Sequence, residues 1–309
     1  MEEQHVTGRF APSPSGRMHL GNVFSGLLAW LSVRSMGGVM LLRIEDLDPD
    51  RCRREYSEQL MNDLKWLGLD WDNDPCYQSE RTAVYAGKFE ELARQGLIYP
   101  CYCTRAERLA ASAPHRSDGQ AVYDGRCSRL TEEQQRELAR LRRPAWRIRV
   151  SEQEKCFTDI CRGEYRENLL RDCGDFILQR SDGVYAYQLA VVVDDGLMGV
   201  NQIVRGSDLL SSTPRQLYLQ ELLGFPAPEY AHVPLLLAPD GRRLSKRDGD
   251  LDMGALRRRF TPEQLLGQLA VLAGLRDRPE PVTARELAEE FCWDKIPKTD
   301  VVIQPEQFG

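Results

Sequence analysis

Arg9-Phe-Ala-Pro-Ser-Pro-Ser-Gly-Arg-Met-His-Leu-Gly-Asn22 is the stretch on which the reading of this chain turns. Residues 6–11 are predicted as a short strand, and the prolines at 12 and 14 forbid helix. From Gly21 the apolar residues Val23, Leu27, Leu28 and Leu31 recur at helical spacing until Gly37-Gly38 stops the run. His19 and Asn22 therefore sit at a helix N-terminus, where free backbone N–H groups and the macrodipole favour an anion such as a phosphate. Alone, His-x-Gly-Asn is also what an ordinary strand-to-helix turn looks like. A second phosphate signal far along the chain, Arg243-Leu-Ser-Lys-Arg247, raises its weight.

Composition bounds the possibilities. At 309 residues the chain can bury a sizeable core, as two domains or as one domain with insertions. A hydrophobic share of 42% and a charged share of 28% are those of a soluble globular protein. No apolar run reaches the length of a membrane span, and the start, Met1-Glu-Glu-Gln-His5, is not a signal peptide, so a cytoplasmic location is expected. Nine scattered cysteines, an odd number, argue for reduced thiols or metal ligands over a disulfide framework. A net charge of −6 does not favour a nucleic-acid binder, although a local basic face is compatible with it.

After the first helix, Val39-Met-Leu-Leu-Arg-Ile44 reads as a buried strand ending in Glu45-Asp-Leu-Asp48, where ligands bind in open parallel sheets. For Asp46 and Asp48 helix capping is an equal alternative. Tyr56, Leu60, Met61, Leu64 and Leu67 mark an amphipathic helix closed by Gly68, and a second helix is expected over 80–95. From Leu97 to about Leu170 the alternation breaks, and Cys101-Tyr-Cys103 and Tyr123-Asp-Gly-Arg-Cys127 suggest a small zinc site. Its fourth ligand is open between Tyr123, His115, Cys156 and Cys161, and buried reduced cysteines are the plain alternative. The arginines at 140, 142, 143, 147 and 149 read as a solvated face.

Strands resume beyond Asp175. Residues 183–195, with Tyr187-Gln-Leu-Ala-Val-Val-Val-Asp-Asp195, read as a buried parallel strand, and Gln202-Ile-Val-Arg-Gly206 as the next. Tyr187 and Arg205 would then face the same edge as Glu45, with Arg205 placed either to grip a carboxylate or to pair with Asp194, Asp195 or Asp208. Residues 235–247 read as a hairpin turned at Asp240-Gly241, delivering Ser245 and Lys246 on a basic loop able to neutralise charge on a phosphate. Thr261-Pro-Glu-Gln264 and Thr283-Ala-Arg-Glu286 are capping boxes opening two helices, and residues 293–303 are expected to pack back on the core. Arg257, Arg258 and Arg259 read as a solvated helix end.

Taken in order, Arg9-Phe-Ala-Pro-Ser-Pro-Ser-Gly, His19-Leu-Gly-Asn22, Arg43-Ile-Glu-Asp46, Val204-Arg-Gly206 and Arg243-Leu-Ser-Lys-Arg247 resemble a glutamyl-type class I aminoacyl-tRNA synthetase over nearly the whole chain. Within it the chain is similar to the short branch that glutamylates queuosine in tRNA(Asp). The early stop after the Lys246 loop, the Cys-x-Cys…Tyr-x3-Cys set and the Tyr187 segment point to that branch.

The resemblance implies an α/β fold: a Rossmann-like catalytic domain with a parallel sheet, an inserted zinc-binding connective region and a short helical C-terminal segment. Its expected boundaries are 1–96 and 175–250 for the two catalytic halves, 97–174 for the insertion, and 251–309 for helices with no anticodon-binding domain. It implies ATP-dependent formation of glutamyl-adenylate, with Mg2+ on the ATP, and transfer to the cyclopentenediol of queuosine in the anticodon stem-loop. Arg9, Phe10, Ala11, Pro12, Ser13, Glu45, Tyr187 and Arg205 would hold L-glutamate; His19, Gly21, Asn22, Ser245 and Lys246 would hold ATP, with His19 and Lys246 catalytic. Zinc would rest on Cys101, Cys103, Tyr123 and Cys127. A monomer with no membrane partner is expected. The chain departs from the family at Asn22, where a histidine is usual, and at Arg247, where a serine is usual. The rival expectations are a truncated glutamyl-tRNA synthetase charging the 3′ end of tRNA(Glu), and a non-enzymatic sensor of glutamate or adenylate.

Overall fold

A computed structural model describes residues 5–104, 122–244, 251–304 and 307–308. Its strands are β1 (Thr7–Phe10), β2 (Val39–Ile44), β3 (Cys76–Tyr77), β4 (Ile98–Cys101), β5 (Ala145–Ile148), β6 (Glu154–Asp159), β7 (Gly163–Asn168), β8 (Phe176–Gln179), β9 (Gln202–Gly206), β10 (Glu229–Val233), β11 (Leu236–Leu237) and β12 (Val301–Val302). The described α-helices are α1 (Leu20–Ser35), α2 (Arg54–Trp66), α3 (Thr82–Arg94), α4 (Glu132–Leu141), α5 (Tyr187–Leu197), α6 (Thr213–Leu223), α7 (Met253–Arg259), α8 (Pro262–Leu272) and α9 (Ala284–Glu290).

Seven strands form one sheet in the order β3-β2-β1-β9-β10-β6-β7, parallel throughout except for the β6–β7 hairpin. β1 has β2 on one side and β9, nearly 200 residues later, on the other. The chain order reverses there, and a crevice opens beyond the carboxyl ends of β1 and β9, the place where open α/β sheets bind ligands.

α1 crosses from β1 to β2 and is buried on almost every side, with Leu20, Val23, Phe24, Leu27, Leu28, Leu31 and Val33 inside the main core. Close packing on β1 requires Gly8, because a Cβ there would meet Val33 Cγ2 at 2.3 Å. The helix stops as expected: Gly37 takes φ +65°, which favours glycine, and donates to Arg34 O.

A separate antiparallel sheet, β4-β5-β8, carries the cysteine-rich region. The segment expected as an insertion thus supplies strands to this sheet and, through β6 and β7, to the edge of the main one.

Residues 183–195 are not a strand. Tyr187–Leu197 is α5, with Ala190 donating to Ala186 O. Leu189 through Asp195 are all buried, so no polar face discloses the helical period, and the valines' β preference yields to tertiary packing. The hairpin after β10 forms as expected in its described part: Leu237 bridges Arg243, and Ala238 donates to Arg242 O.

Both capping boxes are present, at Thr261 and Thr283. The last residues fold back, with Val301–Val302 pairing with β11 and Ile296, Ile303 and Phe308 buried in the core that contains α1. Arg257, expected in solvent, reaches buried Asp63 at 2.8 Å, and Arg17 of the opening motif meets the same carboxylate at 3.3 Å.

Candidate active site and metal centre

A cleft of about 610 Å3 lies beyond the carboxyl ends of β1, β2 and β9. Arg9, Phe10, Ala11, Pro12, Ser13, His19, Gly21, Asn22, Glu45, Tyr187 and Arg205 all line it, as do Arg243 and Leu244. Ser245, Lys246, Arg247 and His115 lie outside the described residues. The flanks of the Lys246 segment are nonetheless placed: Leu244 is in the cleft wall, Asp252 bridges His19, and Met253 donates to Met18 O.

The floor is a buried charge network. Arg43, fully buried, donates to Asp195 at 2.6 Å and to Glu45 at 3.2 Å, and Arg9 donates to Asp195 at 3.1 Å. Burial raises the Asp195 carboxyl, but Arg43 and Arg9 outweigh it and hold Asp195 below the ordinary carboxylate range. Glu45 goes the other way, raised by burial that its arginine contacts only partly offset. A ligand cation beside Glu45 would relieve that desolvation.

Asp194 is a second hub, accepting from Gln78, Arg81 and Tyr85 at 2.7–2.8 Å. Asp194 and Asp195 are therefore engaged by groups other than Arg205. Asp46 accepts from the Ser79 N–H and hydroxyl, and Asp48 from the Asp50 N–H. Neither aspartate caps α2, whose N-cap is Arg53.

Among the described residues Arg205 forms no ion pair. Its Nε donates to His232 Nε2 at 3.0 Å and its Nη2 to Thr213 Oγ1 at 2.8 Å, while buried Nη1 has no acceptor. A buried guanidinium nitrogen left unsatisfied costs the fold free energy that a carboxylate would recover. His232, Asp159 and Thr213 escape sequence reasoning because no motif or period connects them.

On the opposite lip, His19 is the N-cap of α1, and the Asn22 side chain accepts from the His19 N–H at 3.3 Å. In this conformation the residue that departs from the family pattern caps its own helix.

Cys101, Cys103 and Cys127 come together with their sulfurs all within 4.8 Å of one another. Cys103 and Cys127 sulfurs are 3.4 Å apart, and Tyr123 Oη lies 3.6 Å from both Cys101 and Cys103 Sγ. Zn–S bonds of about 2.3 Å in a tetrahedron set sulfurs about 3.8 Å apart, so three thiolates and a phenolate fit. The Cys101 thiol is pulled down, chiefly by the Cys127 hydrogen bond and with help from Arg147, against burial. Arg147 donates to Cys101 Sγ at 3.3 Å and lies 3.8 Å from the Tyr123 ring centroid. This arginine is buried, which corrects its expected place on a solvated face, whereas Arg149 is exposed and lies over the Tyr99 ring. Cys156 is exposed on β6 and Cys161 is buried in the main core, so neither joins the group.

The family model described as tRNA synthetases class I (E and Q), catalytic domain, matches residues 5–304. The chain is 48% identical to a glutamyl-Q tRNA(Asp) synthetase of Symbiobacterium thermophilum, over 97% of each chain. It is 52% identical to one of Nitratidesulfovibrio vulgaris, over 87% of each. A solved glutamate tRNA ligase from Elizabethkingia meningosepticum, in complex with its amino acid, superposes with a TM-score of 0.83 at 28% identity, covering 98% of this chain and 68% of that one.

Proposed function

The chain belongs to the class I glutamyl and glutaminyl tRNA synthetase catalytic-domain family, and from that premise we propose that it activates L-glutamate with ATP and transfers it to queuosine in tRNA(Asp). The observation that carries the glutamate reading is the buried Arg205 guanidinium, with one nitrogen lacking an acceptor, in the same cleft as Glu45, Tyr187 and Arg9. Arg205 and Arg9 suit the carboxylates of the amino acid and Glu45 its α-ammonium. Phe10, Ala11, Pro12, Ser13 and Tyr187 shape the surrounding wall.

ATP is assigned to the His19 side. Gly21 and Asn22 open α1, whose N-terminus favours phosphate, and Ser245 and Lys246 would approach from the other flank. The glutamate α-carboxylate attacks the α-phosphorus in line, the bond to the β,γ-pyrophosphate breaks, and glutamyl-adenylate forms. His19 and Lys246 would stabilise the charge that grows on the phosphate oxygens, so the step requires orientation and no side-chain nucleophile. Mg2+ would neutralise phosphate charge when bound with ATP. A hydroxyl of the queuosine cyclopentenediol then attacks the acyl carbon, its proton is lost and AMP leaves.

Zinc on Cys101, Cys103, Tyr123 and Cys127 is assigned a structural role, knitting the loop after β4 to the segment before α4. We retain the partition into catalytic halves 1–96 and 175–250, an inserted region 97–174, and a helical segment 251–309. A monomer in the cytoplasm is the working assignment; no described helix is long and apolar enough to cross a membrane.

The second reading, charging of the 3′ end of tRNA(Glu), is favoured by the likeness to glutamate tRNA ligases. Digesting glutamylated RNA with ribonuclease T1 separates the two. The label is expected on the anticodon fragment; label on the 3′-terminal fragment would overturn the proposal.

A further inference from the structure

Arg205 is held from behind by a histidine that stands in none of the sequence motifs. His232 lies on β10, directly opposite Arg205 in the β9–β10 register, and is fully buried. Its Nδ1 faces Asp159 Oδ2 at 2.6 Å. Asp159 Oδ1 already accepts from the backbone N–H groups of Cys161 and Arg162, and the His232 N–H approaches both carboxylate oxygens at 3.1 Å. A carboxylate so saturated with donors is an acceptor only, so the ring proton belongs on Nδ1. Nε2 then carries a lone pair, and two donors converge on it: Arg205 Nε–H at 3.0 Å and the Thr213 hydroxyl at 3.2 Å. Thr213 Oγ1 in turn accepts from Arg205 Nη2, closing a ring of three side chains around the guanidinium. Tyr230 stacks on the imidazole, its plane inclined by 9°, and lies under the Arg205 guanidinium at 5.4 Å. With Nε and Nη2 committed, Nη1 is the nitrogen without an acceptor.

We propose that His232, oriented by Asp159, is a positioning residue that fixes the Arg205 guanidinium so that Nη1 is held for a carboxylate of the amino-acid substrate. The histidine touches no substrate and acts through Arg205. The other ring tautomer would set an N–H against the Arg205 N–H and expel the guanidinium from this orientation. The inference rests on the glutamate reading of the cleft and goes further by naming what makes that arginine selective.

Two measurements test it. In 15N-histidine-labelled protein the chain's four histidines give few signals, and those lost in His232→Gln identify the ring. At neutral pH His232 is expected to show a protonated Nδ1 and a bare Nε2; a protonated Nε2 would overturn the proposal without reference to any substrate. In glutamate-dependent ATP–pyrophosphate exchange, His232→Leu is expected to raise the KM for glutamate by about 10-fold, with kcat and the KM for ATP within about 2-fold. His232→Gln, whose amide oxygen can accept from Arg205 Nε, is expected to lie nearer to the unaltered protein. A folded His232→Leu protein with unchanged glutamate KM would overturn the positioning role. Absence of exchange in the unaltered protein would overturn the glutamate reading, and the ring measurement distinguishes that failure from this one.

Discussion

Arg205 presents three donor edges, and the fold satisfies two of them. A lysine in its place would supply a charge but not the planar fork, and its hydrogen bonds to His232 and Thr213 would not be reproduced together. Arg205→Lys is therefore expected to lower kcat/KM for glutamate by about 100-fold, near 2.7 kcal/mol, while the thermal midpoint moves little; steady-state pyrophosphate exchange and a melting curve measure both. The residue behind it makes a pH prediction. Burial and Arg205, outweighing Asp159, lower the His232 imidazole from its ordinary 6.5 to about 4. Below about pH 6.5 the unfolded chain takes up a proton that the folded chain refuses, so stability falls with pH until about 4, by on the order of 3 kcal/mol in total. Asp159, whose carboxyl is lowered by His232 despite burial, adds loss of the same sign at lower pH, as its folded-state advantage disappears on protonation. Denaturant unfolding between pH 7 and 4.5 is expected to show this slope, and His232→Gln to flatten it. Arg9, Glu45 and Arg205 were legible because they stand in motifs at strand ends. His232 and Asp159 are 73 positions apart, and nothing local marks either one.

At the scale of elements, periodicity served where one face is wet and failed where none is. α2 alternates buried Leu60 and Leu64 with exposed residues and was readable, whereas the buried run Leu189–Asp195 in α5 gives helix and strand the same appearance. The structure moves Tyr187 from the expected strand to the first turn of a helix, yet that turn opens on the same cleft. The cysteine group shows a different limit. The spacing of Cys101, Cys103 and Cys127 suggested a metal and left the fourth ligand open; three-dimensional closeness, with the Tyr123 phenol 3.6 Å from two sulfurs, supports Tyr123 as the proposed one, while His115 lies outside the described residues. Burial raises the Tyr123 phenol and the Cys127 thiol is raised by its bond to Cys101, so metal must displace both protons and binding should weaken as pH falls. Tyr123→Phe is expected to reduce bound zinc below one per chain and to ease its removal by chelator, measured by metal analysis after dialysis; undiminished zinc would contradict the assignment.

Across the whole molecule, distant parts of the sequence converge on the opening turn. Asp63 ties Arg17 of that turn to Arg257 of α7, and Asp252 bridges His19 immediately after the Lys246 segment. Asp252, Met253 and Arg257 thus support the His19 lip of the cleft from outside, which their composition did not disclose. A parallel sheet was expected from the resemblance, and Val39–Ile44 and Gln202–Gly206 were readable as buried strands, whereas the attachment of β6–β7 to its far edge depends on pairing between β6 and β10. The central claim, glutamate delivered to queuosine, is tested most directly by offering radiolabelled glutamate and ATP with queuosine-containing tRNA(Asp), queuosine-free tRNA(Asp) and tRNA(Glu) in parallel. Label on the queuosine-containing tRNA(Asp) alone is the predicted result, and label on tRNA(Glu) alone would contradict it.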